Sequence, residues 1–173
     1  MTRSASEIAA LAREAARGAG FPPAQADSFG RAAVLHLARG GDEATLRAAL
    51  ADPADSPILR LPLLAEDILR ALTLAGPQVE MTLHPGDAAL APAYIALLDI
   101  AIETLEIVPG SDGAQRLRVH ADAERVAATA LPARLAVSES LAAELGALAD
   151  RTLVPASEQS RSAGAGAGDI DND

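Results

Sequence analysis

Up to about Gly76 the apolar side chains return every three or four positions, and from Val79 the interval shortens to two. The first spacing is that of a helix with one buried stripe, the second that of a half-buried strand. Ser4-x-x-Glu7 has the reciprocal spacing of a capping box, and Ile8, Leu11, Ala12 and Ala15 follow on one face, which predicts a first helix ending at Gly18. Arg13, Glu14 and Arg17 fall on its solvated face, and Gly18 and Gly20 give the backbone freedom to reverse before Phe21. Pro22 and Pro23 open a second helix with the stripe Phe29, Ala32, Ala33 and Leu37, stopped by Gly40-Gly41. The pair reads as a helical hairpin. Asp42 is a suitable N-cap for a third, short helix carrying Leu46, Ala49 and Leu50 before Pro53. Leu61, Leu64, Ala65, Ile68 and Leu72 mark a fourth, closed by Gly76-Pro77.

Val79, Met81 and Leu83 alternate with polar residues and predict a strand that ends in the turn His84-Pro85-Gly86-Asp87. Residues 88–102 fit both periods: Ile95, Leu98 and Ile102 suit a helix, while Leu98, Ile100 and Ile102 alternate as a strand would. The reading adopted is a helix to about Asp99, then a strand over Leu105–Val108. Gly110-Ser111-Asp112-Gly113 separates that strand from Gln115–His120, where Leu117 and Val119 alternate with Arg116 and Arg118, so the two form a predicted hairpin. Asp122 is placed to cap a helix bearing Val126, Ala127 and Ala130, with Pro132 as its stop. Ser138 precedes a last helix with Leu141, Leu145, Leu148 and Ala149 on one face, ending near Asp150. The expected architecture is α+β and predominantly helical. It has an N-terminal helical hairpin, a small antiparallel β element in the middle, C-terminal helices, and residues 151–173 as a Gly-rich, acidic segment beyond a domain of residues 1–150.

Composition narrows the chemistry. With Phe21, Phe29 and Tyr94 as the only Phe, Tyr or Trp residues, the core must be built from Ala, Leu, Ile and Val, so stability rests on many modest contacts. Absence of Cys excludes disulfides, thiolate nucleophiles and Cys-ligated metals, and absence of Lys excludes Schiff-base and P-loop lysine chemistry. A formal charge of -10 opposes binding to nucleic acid and to anionic membranes. The longest apolar stretch, Ala88–Ile102, holds Pro92 and Asp99 and falls short of the roughly 20 residues a bilayer span needs. Glu7 and Glu14 stand where a signal peptide would be apolar, so a cytoplasmic location is expected.

The composition shifts abruptly after Asp150. The run RTLVPASEQSR, residues 151–161, leads into Gly164, Gly166 and Gly168 and then Asp169, Asp171 and Asp173. On composition this is a polar tail that buries too little to offset ordering. Its order admits a second reading, in which the glycines allow close backbone approach to another surface and the aspartates present carboxylates afterwards. Together with the opening block Glu7-Ile8 to Ala16-Arg17-Gly18-Ala19-Gly20, this segment resembles a bacterial domain-of-unknown-function family, whose members usually carry Tyr where this chain has Leu153. That resemblance covers the two ends of the chain. It implies that the C-terminal segment is ordered and used, and it brings no assigned reaction.

Four groups of residues could carry chemistry. Asp169-x-Asp171-x-Asp173 has the opening spacing of a calcium loop but lacks the turn glycine and distal Glu, so no metal site is expected. His84 with Asp87 and His120 with Asp122 could converge on zinc, although both histidines sit at ordinary surface positions of a turn and a strand end. His36 shares the stripe of the second helix and is read as a hydrogen-bonded packing residue. Ser157, Glu158 and Arg161 ahead of the glycines could engage a small anionic metabolite, with Arg161 as a planar fork and the glycine N–H groups as a nest. No dinucleotide fingerprint or nucleophile elbow accompanies them, and no cofactor is expected. The leading expectation is a binding or assembly module whose C-terminal segment packs on the domain, on a second copy or on a protein partner. The alternatives are a hydrolase or lyase using Glu158, Arg161 and the terminal carboxylates with His84 or His120, and a structural protein with a disordered end.

Overall fold

Ser4 begins the first helix in the way its spacing requires. In the computed structural model, which describes residues 2–152, its hydroxyl accepts the Glu7 N–H at 3.2 Å and Glu7 Oε2 accepts the Ser4 N–H at 2.7 Å. Helix α1 (Ala5–Gly18) buries Ile8, Ala12, Ala15 and Ala16, and α2 (Pro23–Ala38) packs against it as the expected hairpin. The hairpin closes tightly because Gly30 of α2 meets backbone: a Cβ there would stand 2.5 Å from the Ala9 carbonyl oxygen. Asp42 caps α3 (Glu43–Ala51) through the Ala44 N–H, and Ser56 caps α4 (Pro57–Ala75) through the Ile58 N–H.

The middle of the chain forms a three-stranded antiparallel sheet in the order β2-β4-β3, with β2 at Gln78–Thr82, β3 at Ile100–Pro109 and β4 at Gln115–Val126. Gln78 pairs with His120 and Thr82 with Arg116, while Leu105 pairs with Val119 and Val108 with Arg116. The alternation does what the pattern requires. Leu117, Val119 and Ala121 are buried toward α4, and Arg118 faces outward, its Nε 2.7 Å from Glu80 Oε2 across the ladder. One contiguous core joins these layers, with Phe29, Leu46, Ile58, Leu61, Ile68, Tyr94, Leu117 and Leu141 fully buried in it. The architecture is predominantly helical α+β, with the helical hairpin first, the antiparallel sheet in the middle and helix α6 (Glu139–Ala149) at the end.

Three expectations need correction. The helix expected to about Asp99 is short: α5 (Ala91–Ile95) passes into a 3₁₀ turn, Ala96–Leu98, and Asp99 adopts a left-handed φ of 52° that sends the chain into β3 at Ile100. Ile100 and Ala101 are both buried, and Ile102 and Leu105 pack partly against the core opposite Ala121 and Val119 of β4, so strand pairing wins over the helical spacing. The helix expected after Asp122 does not form, and β4 continues to Val126 instead. Asp122 Oδ1 does accept two following N–H groups, from Glu124 at 3.0 Å and Arg125 at 3.2 Å, as an N-cap would, but the backbone beyond them pairs with β3. The C-terminal helices therefore reduce to α6 and the 3₁₀ turn Asp150–Thr152. A feature with no sequence signal is the two-stranded ribbon of β1 (Thr2–Ser4) and β5 (Arg134–Ala136), whose three-residue strands are too short to show a period. It covers a satellite cluster of Ala5, Ile8, Val34 and Val137.

Candidate functional site

Helices α1, α3 and α6 meet around a groove of about 390 Å³. Its apolar wall comes from Leu50, Leu141, Leu145 and Leu148, with Ala19 at the end of α1 and Pro53 after α3. Two guanidinium groups, Arg47 and Arg151, and one carboxylate, Glu144, line it as well.

Glu43 sets the spacing between α3 and α6. Its Oε1 accepts the Ser138 N–H at 2.7 Å, and its Oε2 accepts the Ser138 hydroxyl, which itself caps α6 by accepting the Leu141 N–H at 3.0 Å. Burial alone would raise the Glu43 pKa, but the two Ser138 hydrogen bonds and the Arg47 charge outweigh it and hold the carboxyl below its ordinary range. Arg47 continues the chain of contacts, donating from Nε to Glu144 Oε2 at 2.7 Å and from Nη2 to the Ser140 hydroxyl at 3.0 Å, with Glu43 Oε2 at 3.6 Å. Its pKa is raised, chiefly by the hydrogen bond to Glu144. Arg47 is thus held in place, whereas Arg151 is exposed and has no hydrogen bond or ion pair among the described residues. Glu144 and Glu43 both pair with Arg47, so the cation of the groove with no carboxylate partner among the described residues is Arg151.

The residues singled out from the sequence fall in different places. Ser157, Glu158, Arg161, Gly164, Gly166, Gly168, Asp169, Asp171 and Asp173 lie outside the described residues. His36 is buried, and its Nε2 donates to the Asp42 carbonyl oxygen at 3.0 Å, an acceptor that places the ring proton on that nitrogen. It is the packing residue expected. His84 Nδ1 accepts the Gly86 N–H at 3.4 Å within its turn, and His120 Nδ1 lies 3.1 Å from Glu103 Oε2. The structure corrects the idea that these two histidines converge. His120 stands opposite Gln78 at one end of the β2–β4 ladder, and His84 follows the other end, where Thr82 meets Arg116. Asp87 is buried in a different pair: Arg60 Nε is 3.1 Å from both of its carboxylate oxygens and Nη2 is 2.6 Å from Oδ1. Among the described residues no group of three or more His, Asp or Glu is placed to hold a metal ion.

Sequence reasoning missed Arg47, Glu43 and Glu144 as a set. Glu43 and Arg47 stand four apart in the sequence, the spacing of a helix-surface pair, but their meeting with Ser138 and Glu144 is a tertiary event. No helix among the described residues is long and apolar enough to cross a membrane. No family model, curated protein or solved structure matches the chain.

Proposed function

We propose that this protein is a cytoplasmic binding or assembly module whose C-terminal segment, residues 153–173, packs along the α1–α3–α6 groove of its own body and completes there a site for a small anionic metabolite. The observation that carries the reading is position: Arg151 lines the groove, and Thr152 after it leads directly into the segment. The next residues, Leu153, Val154 and Pro155, are the apolar ones that a wall of Leu50, Leu145 and Leu148 accepts. Beyond them the segment carries Glu158, Asp169, Asp171 and Asp173 against a single Arg161, an acidic balance that suits Arg151, which has no carboxylate partner among the described residues.

Energetics limit how much of the segment can order. Burying a Leu or Val side chain contributes about 1.5–3 kcal/mol, and fixing each backbone residue costs about 1–2 kcal/mol. Burial of Leu153 and Val154 offsets much of the ordering of residues 153–156, while the remainder and the glycine-rich part need help from charge-assisted hydrogen bonds. Ligand contacts are assigned on this reading to Ser157, Glu158, Arg161, Gly164, Gly166, Gly168, Asp171 and Asp173 together with Arg151, and the family resemblance of the two end blocks is part of the same proposal. The hydrolase or lyase reading draws no support from His84 or His120, since neither lines the groove.

The test is a comparison of the intact chain with a version ending at Thr152. Melting temperature should fall by several degrees in the shorter chain, since about 1 kcal/mol corresponds to about 2–4 °C at this size, and amide exchange at Leu50 and Leu145 should quicken. Identical melting and identical exchange in the two chains would overturn the packing and leave the segment as a disordered end.

A further inference from the structure

At one end of the sheet β3 and β4 fall out of step. Ile100 pairs with Val126 but Ala101 pairs with Asp122, so Ala123, Glu124 and Arg125 are looped out of β4 opposite a single β3 step. Asp122 holds this loop through the Glu124 and Arg125 N–H groups. The chain then crosses the start of β3, where the Ala127 N–H donates to the Asp99 carbonyl at 2.9 Å and the Thr129 hydroxyl to the Ala96 carbonyl at 3.2 Å. These contacts leave an open groove of about 600 Å³ with an aliphatic floor that includes Ile100, Ile102 and Leu105.

Two arginines line the same groove, Arg39 from the end of α2 and Arg125 from the looped-out strand. Arg39 Nη1 donates to the Pro92 carbonyl at 2.8 Å, and among the described residues no carboxylate pairs with it. Arg125 Nε stands 3.9 Å from Asp122 Oδ2, outside hydrogen-bond reach. In a chain with 24 acidic and 14 basic residues, two guanidinium groups that share an apolar groove and are hydrogen-bonded to no carboxylate there are selective for an anion. The lining has no aromatic ring on which a base could stack, and its volume falls in the range of small-molecule sites.

We infer that this groove binds a small amphiphilic anion, an aliphatic chain ending in a carboxylate or a phosphate monoester, with the headgroup on Arg39 and Arg125 and the chain along Ile100, Ile102 and Leu105. The site is separate from the α1–α3–α6 groove, and it stands or falls independently of where residues 153–173 pack.

Calorimetric titration of the full chain with octanoate and with octyl phosphate, using octanol and octylammonium as controls, tests the inference. At least one of the two anions should bind saturably, and the controls at least about tenfold more weakly, the worth of one charge-assisted hydrogen bond. Arg125→Gln should weaken binding by a similar factor at unchanged melting temperature, because among the described residues the exposed Arg125 side chain makes only a 3.9 Å ion pair with exposed Asp122, of little worth to the fold. Ala128→Trp, at an exposed position on the groove lining, should block the chain. A preference for octanoate or for octyl phosphate assigns the headgroup. No saturable binding of either anion, equal affinity for octanol, or unchanged affinity in Arg125→Gln would each overturn the site.

Discussion

Replacing Tyr94 with Phe removes one oxygen from the centre of the core and leaves the ring in place. Tyr94 is 1% exposed, and among the described residues its hydroxyl finds no hydrogen-bond partner. A buried hydroxyl without a partner costs about 1–3 kcal/mol, whereas a paired one contributes about 1 kcal/mol, so the sign of the effect reports which state the group is in. Allowing for the small void left behind, Tyr94→Phe should stabilise the protein by about 1 kcal/mol, a rise in melting temperature of about 2–4 °C for a chain of this size. The effect should also depend on pH. Burial first, and the nearby Asp87 carboxylate second, hold the Tyr94 pKa above its ordinary value. Above about pH 10 the unfolded phenol loses a proton that the native state keeps, so the wild type loses stability as pH rises while the Phe variant is spared that loss. Thermal melts followed by circular dichroism near neutrality and again above pH 10 read both effects. A fall in melting temperature near neutrality, or a gap between the proteins that does not widen in base, would refute the reasoning.

Two further substitutions test the frame around the α1–α3–α6 groove. A Cβ on Gly18 would stand 1.7 Å from the Leu148 carbonyl oxygen, a backbone atom that cannot swing away, so Gly18→Ala should destabilise by about 1–3 kcal/mol or more by denaturant melts. Retention of wild-type stability would mean that α1 and α6 can separate freely. Glu43→Ala removes the acceptor of two Ser138 hydrogen bonds and should cost about 2 kcal/mol near pH 7. Because the Glu43 pKa is lowered in the folded protein, that contribution is present above the unfolded value of about 4.3 and is lost as pH falls below it, so the gap between variant and wild type should close in acid.

The helices were legible because their signals are local. Ser4 with Glu7, Asp42, Ser56 and Ser138 all cap within three residues, and the stripes they precede repeat every turn. The β2 pattern and the Gly110–Gly113 turn were equally local. Asp122 shows where such reasoning stops. Its side chain captures two following N–H groups, which is all the sequence can express, and whether a helix or a looped-out strand follows depends on β3 being alongside. The same holds for Asp99, where a polar-apolar alternation and a helical spacing were both present and pairing with β4 chose between them.

The grooves were out of reach for a related reason. The first joins Arg47 to Glu144 and Glu43 to Ser138, and the second joins Arg39 to Arg125, in each case residues on elements far apart along the chain. Gly18 and Gly20 put the division in a single motif. Gly20 needs its left-handed φ of 101° for the reversal into Phe21, a requirement of the local backbone that the sequence states by itself. Gly18 needs to lack a side chain because Leu148 arrives from α6 at its Cα, and only the assembled fold brings the two together. Capping, period and turn chemistry act within a few residues and are written in the chain, whereas close approach depends on which faces meet, and that is decided by packing.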